Sequence, residues 1–349
     1  MAYSTINDPS AYFQIKTWSG NGVDDRNLTN DGNSNLQPDF LWNKRTNTTG
    51  SHQLHDSSRG VLEALHSNDS NAQGTESNAV QAFQTDGFQV GNDANINGSG
   101  KDYIAWQWKA NGGTTSSDGN GSITSTVQAS TTAGFSIVTY TGTGSNATVG
   151  HGLGVTPEVI FVKLTSGSGD WVSFHQPLGN TKFLRLNSDI AAGTQSTYWQ
   201  DTSPTTTAFS IGTAGDVNTS SGSHVAYCFK SIKGYSKFGS YKGNGNSDGT
   251  FVYTGFAVSY LMMKRTDSAG EWLIYDNKRN ITNLRDTRLE AQDNFANSTG
   301  SSKSFDFCGN GFKCRGDDSD MNGSGNDYIY LAFADNTLVG TNNIISLAR

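Results

Sequence analysis

Trp18-Ser19-Gly20-Asn21-Gly22 returns twice along the chain, as Tyr140-Thr141-Gly142-Thr143-Gly144 and as Tyr241-Lys242-Gly243-Asn244-Gly245. An aromatic residue followed by two alternate glycines reads as a strand running into a tight turn, where glycine supplies backbone angles closed to other residues. Two more landmarks follow each copy in the same order. One is an apolar strand ending in lysine: Phe40 to Lys44, Val159 to Lys163 and Tyr260 to Lys264. The other closes the copy: INGSGKDYIAW from Ile96 to Trp106, MNGSGNDYIYL from Met321 to Leu331, and a looser VNTSSGSHVAY from Val217 to Tyr227. Three landmarks in fixed order define a threefold internal repeat, and a period of roughly 100 residues is too long for a solenoid turn and right for a domain.

The first glycines of the three turns lie 122 and 101 positions apart, and the longer interval holds a Gly/Ser/Thr-rich stretch from Asn111 to Thr132. The sequence therefore divides into units at 12–110, 133–231 and 238–336. Residues 111–132 are expected as a linker and 232–237 as a short join, with an N-terminal anchoring arm at 1–11 and a C-terminal tail at 337–349. Within a unit, large residues alternate, as in Phe88-Gln89-Val90 and Phe209-Ser210-Ile211. No amphipathic helix of convincing length is evident. The prediction is an all-β chain of three tandem β-sandwich or jelly-roll domains.

Composition narrows the function classes. The 349-residue chain has a net charge of −7 and no basic block, which argues against nucleic acid as a partner. No apolar run approaches a membrane span, and mean hydropathy is −0.52. The start MAYSTINDPS lacks the basic and apolar regions of a signal peptide, and the three cysteines have no metal or redox spacing. Synthesis in a cytoplasm with reduced thiols is expected.

Each motif that could carry chemistry also has a packing explanation. Asp93-x-Asn95-x-Asn97-Gly98 and Asp318-x-Asp320-x-Asn322-Gly323 copy the opening of a calcium loop. Ile104 and Ile329 stand where the bidentate glutamate belongs, so a hairpin turn capped by Asx side chains is favoured over a Ca2+ site, and no cofactor is expected. Asp56 with Arg59 and Asp276 with Arg279 read as structural ion pairs, and His175 replaces the aspartate in the middle unit. His52 aligns with Trp171 and Trp272, and His55 with Phe174 and Tyr275, so both are packing positions. The pair Tyr198-Trp199 has no counterpart in the other units, sits in a polar stretch and offers flat faces for a sugar. It is the candidate ligand site.

The stretches DPSAYFQ, LQPDFLWNKR, HQLHDSSRG, DYIAWQWKANGGTTS, VAYCF, GYSKFGSYKGNG and FVYTGF, with the segment around Gly142, carry a resemblance over most of residues 8–336. The chain resembles repeat-containing virion proteins of tailed phages of marine bacteria, of fibre, spike or surface-attached type, with repeats similar to concanavalin A-like lectin sandwiches. The resemblance implies a non-enzymatic virion protein assembled in the host cytoplasm. It also implies other virion proteins and a host-surface glycan as partners, with a homotrimer by analogy to fibres. The alternatives are a capsid decoration protein without a receptor role and a glycan depolymerase. The arm at 1–11 is expected to anchor on a neighbouring chain.

Overall fold

A computed structural model of the chain describes residues 4–336. Each unit builds an antiparallel inner sheet with one strand order. In the first unit Asp102–Trp108 lies between Phe13–Ser19 and Phe40–Arg45, and the sheet continues through Gln53–Asp56, Gly60–Leu65 and Gly74–Thr75. The second unit repeats the order with Ser223–Phe229 between Phe135–Thr141 and Val159–Leu164. The third does so with Asp327–Phe333 between Ser236–Lys242 and Tyr260–Arg265. The closing strand of the repeat is thus flanked by its opening strand and its lysine-ended strand. The closing and lysine-ended strands are buried on both faces, which explains near-continuous apolar runs such as Val159-Ile160-Phe161-Val162.

A small outer sheet covers one face of each inner sheet. It is Arg26–Leu28, Gly87–Val90 and Val80–Gln84 in the first unit and Phe251–Tyr253, Gly311–Cys314 and Phe305–Cys308 in the third. The second unit has only Ala147–Gly150 and Ala208–Ile211. A separate apolar cluster fills each sandwich, built around Phe88, Phe209 and Phe312 respectively. The chain is therefore all-β and sandwich-like.

The other faces of the inner sheets meet one another. Trp108, Phe229 and Phe333 occupy the same position in the three closing strands, and their rings form a triangle with centroids 6.4, 5.7 and 6.0 Å apart. Each pair is edge-to-face, the arrangement that the ring quadrupoles favour. Phe40, Tyr260, Trp42, Phe161 and Met262 surround the triangle in one cluster drawn from all three units. The sandwiches share this aromatic centre, so a pseudo-threefold arrangement exists inside a single chain.

Three equivalent seams close the ring. Gln73 N donates to Thr165 O (3.0 Å), Ala192 N to Thr266 O (2.9 Å) and Asn297 N to Thr46 O (2.7 Å), joining the first unit to the second, the second to the third and the third to the first. Trp171 Nε1 donates to His66 O and Trp272 Nε1 to Arg185 O, both at 2.8 Å, while His52 Nε2 lies 3.1 Å from Glu290 O. The lysines of the repeat complete the seams. Lys44, Lys163 and Lys264 are fully buried. Each donates to its neighbour's carbonyl in sequence and to one across the seam: Asn294 O (3.4 Å), Ser70 O (3.2 Å) and Asp189 O (3.1 Å).

One expectation is corrected. Residues 111–132 are not a linker: Ser116–Asp118 and Ser125–Ser130 extend the second inner sheet beside Phe135–Thr141. Its glycines dock on a buried carboxylate, with Asp39 accepting from the backbone N–H of Ala110, Gly112 and Gly113 at 2.7–2.8 Å. Residues 4–11 of the expected arm pack on their own chain. Ile6 is buried in the central cluster and Ser4 Oγ donates to Lys233 O at 2.7 Å. Residues 1–3 of the arm and the expected tail at 337–349 lie outside the described residues.

Candidate functional site

The repeated turns use their polar residues to hold backbone. The side chains of Asn97, Asn218 and Asn322, all fully buried, tie the closing hairpin to the glycine turn. Asn97 Nδ2 donates to Gly91 O and Val23 O, and Asn322 Nδ2 to Gly316 O and Asn246 O, at 2.8–3.0 Å. Asn218 Nδ2 makes the equivalent bonds to Ser145 O and Gly212 O. Their Oδ1 atoms accept from the backbone N–H of Asn21, Thr143 and Asn244. Asp93 and Asp318 close Asx turns onto the N–H of Asn95 and Asp320, and Asp320 also pairs with Lys303 at 2.5 Å. These six motif residues are thereby engaged in a turn. The glycines follow from the same geometry: a Cβ on Gly20, Gly142 or Gly243 would lie 2.2–2.3 Å from a carbonyl oxygen of the facing hairpin. The aromatic residue before them, Trp18, Tyr140 or Tyr241, bonds a carbonyl of that hairpin through its ring N–H or O–H.

Tyr198 and Trp199 are not exposed, contrary to the expectation of a sugar-stacking pair. Both rings are buried at 3% and 2% exposure. They sit on a short helix, Ser196–Trp199, that takes the place of the outer strands Val80–Gln84 and Phe305–Cys308 of the other units. Tyr198 packs on Phe183 and Trp199 on Phe174, filling the core that a third outer strand would fill. The pair lacks a counterpart because it replaces a strand.

Asp56 and Arg59 form a buried pair at 2.6 Å, as do Asp276 and Arg279. Each aspartate also accepts from two backbone N–H groups of its own turn. His52 and His55 are fully buried, and burial pulls their imidazoles down, His55 to about 4. Cys228 and Cys314 are buried free thiols pushed up to about 12 by burial, and Cys308 is a half-buried free thiol. Glu271 and Glu290 are electrostatic neighbours, and burial followed by Glu271 holds Glu290 above the usual carboxylate range. Each has a cation: Lys303 lies 2.6 Å from Glu271 and Arg288 lies 3.3 Å from Glu290.

The surface is where the units differ. Two clefts of about 350 Å³ occupy equivalent seams with unlike linings. The one between the first and second units is polar, with Arg59, Gln73, Thr139 and His224. The one between the second and third carries Pro177, Leu178 and Ile329 beside Lys182 and Asp267. At the third seam Asp31 bridges Lys16 (3.6 Å) and Lys278 (3.3 Å). Among the described residues the exposed aromatic side chains are Phe251, Tyr253 and Phe295, all in the third unit. Sequence reading passed over Phe251 and Tyr253. The signal was available, because they flank Val252, whose equivalents Leu28 and Val149 follow Asn27 and Thr148.

A family model described as a domain of unknown function (DUF7483) matches residues 8–337, which is nearly the whole chain. The chain belongs to this family. No curated protein matches it. No helix among the described residues is long and apolar enough to cross a membrane.

Proposed function

We propose that this DUF7483 protein is a non-enzymatic structural and adhesive component of a tailed-phage particle, assembled in the host cytoplasm and attaching to a host-surface glycan. The observation that carries the reading is the division between constant and variable residues. Turn asparagines, seam lysines and the aromatic centre recur in every unit and hold one rigid body, whereas exposed side chains differ from unit to unit. That is the pattern of a scaffold that presents a surface. The resemblance to marine-phage virion proteins supplies the setting.

Localisation in purified particles tests the proposal. Gold-labelled antibody on the tail tip or fibre supports attachment, label on the shell supports a decoration role, and absence from the particle overturns both. The homotrimer expected by analogy is checked by light scattering, where three times the chain mass of 37.3 kDa supports it and a single copy overturns it.

A further inference from the structure

We infer that the outward face of the third unit's outer sheet is a binding platform for a neutral glycan, centred on Phe251 and Tyr253. The inference rests on the attachment reading and places it at one site. Phe251 and Tyr253 lie on the edge strand of that sheet, and their side chains are 46% and 56% exposed while Val252 between them is buried. Exposing two rings on alternate positions of one strand puts both on the same face. The equivalent face carries Asn27 and Gln89 in the first unit and Thr148 and Ser210 in the second, so neither the fold nor the repeat requires rings there.

The neighbouring residues specify the ligand class. Lys313 lies directly across from Phe251, with Asp306 across from Lys313 on the next strand. Lys313 is 2.5 Å from Asp248, and Arg315 lies 3.3 Å from Asp248 and 3.4 Å from Asp306. Two acids and two bases cancel, so the face attracts neither a polyanion nor a polycation. It offers carboxylates to accept from hydroxyls and cationic N–H groups to donate to them, beside rings that take the apolar face of a pyranose. Glycine is required at Gly311, opposite Tyr253, since a Cβ there would meet Val252 O and the Phe251 ring. Two exposed rings bordered by Lys313 and Asp306 fall short of the large contiguous apolar patch that marks a protein interaction site.

The test uses the full chain and calorimetric titration with neutral hexasaccharides of glucose, mannose and galactose, with alginate and chitosan hexamers as charged probes. The wild type is expected to bind at least one neutral probe, and Phe251→Ala with Tyr253→Ala to weaken it by about 10-fold or more. Asn27→Ala with Thr148→Ala, on the equivalent faces, is expected to leave affinity unchanged. Phe251 and Tyr253 are both exposed, and an unshifted melting temperature confirms that their double variant is folded. A folded double variant that binds as the wild type does overturns the site while leaving the attachment reading intact. Preference for a charged probe overturns the ligand class. A wild type that binds neither glycans nor host cells overturns the attachment reading itself.

Discussion

Replacing Phe229 with alanine separates one shared core from three independent domains. The ring touches Trp108 of the first unit and Phe333 of the third as well as Phe135 and Phe161 of its own. Phe→Ala in a core costs about 3–5 kcal/mol, and the rings on every side hold the cavity open, so about 4 kcal/mol is expected. The size of the melting shift then depends on what unfolds together. The unfolding entropy is ~2.1 cal/mol/K per residue, which gives about 0.7 kcal/mol/K for the roughly 330 described residues melting as one and a shift of about 6 °C. A unit of about 100 residues melting alone has about 0.2 kcal/mol/K and would shift by about 19 °C, leaving two other transitions in place. Scanning calorimetry of wild type and Phe229→Ala reads both the number of transitions and the shift. One transition moved by about 6 °C is the expected result. Several transitions, only one of which moves, would refute the shared centre.

Gly142→Ala should cost about 2 kcal/mol or more in urea unfolding, because its Cβ meets the backbone oxygen of Thr219 at 2.3 Å and no rotamer relieves that. Gly74→Ala, with nothing within 4 Å of the added atom, should stay within about 0.5 kcal/mol. Asn322→Ala removes the donor to Gly316 O and Asn246 O and should cost about 2–4 kcal/mol. The same residue links to the cation question: millimolar Ca2+ should leave the wild-type melting temperature unmoved, and a clear rise would show that the turn is a metal loop. His66 supplies a pH dependence. Burial opposes its charge, but Asp69 at 3.0 Å and Glu76 at 3.4 Å outweigh it and raise the imidazole to about 9. A folded value above the unfolded 6.5 means stabilisation that is complete below pH 6.5 and lost as pH rises through about 9. After allowance for partial exposure, the wild type should exceed His66→Gln by about 1–3 kcal/mol near pH 6 and match it near pH 10 in urea melts.

Much of the architecture was legible because the repeated residues are the ones whose geometry has little freedom. Gly20, Gly142 and Gly243 are fixed by a close carbonyl, and the terminal lysines by carbonyls on two sides of a seam, so their spacing survived in the sequence. What the repeat could not convey was that its units face one another. Trp108, Phe229 and Phe333 look like ordinary strand residues until three sheets bring them together. Local composition misled twice. Ser125-Thr126-Val127-Gln128-Ala129-Ser130 reads as linker, yet its backbone pairs with Phe135–Thr141 on one side and Ser116–Asp118 on the other. Tyr198-Trp199 sits among polar residues and still turns inward, because the second outer sheet lacks a strand and the core beneath it needs filling. Phe251 and Tyr253 were hidden for the opposite reason, since an aromatic strand in an all-β chain reads as core.

The seams also explain a substitution that is opaque within a single unit. Asp56 and Arg59 recur as Asp276 and Arg279, while the middle unit has His175 and Leu178. The residue facing each seam differs in step. Tyr227 of the second unit donates its O–H to Asp56 at 2.7 Å, and the Arg279 guanidinium lies 5.9 Å from the Trp106 ring of the first. At the equivalent place the third unit offers Leu331, which can neither bond a carboxylate nor receive a cation on a ring. A buried ion pair that loses one partner costs about 3–5 kcal/mol, whereas exchange of both for less polar groups is close to neutral. Joint loss of aspartate and arginine is therefore the tolerated route. His175, kept neutral by burial that pulls it down to about 4, completes that seam instead through Nε2, 3.2 Å from Tyr330 O. Three identical chains would have to carry one solution at all three seams. A single chain with internal threefold order can carry three, and that same freedom lets the third unit alone expose Phe251 and Tyr253.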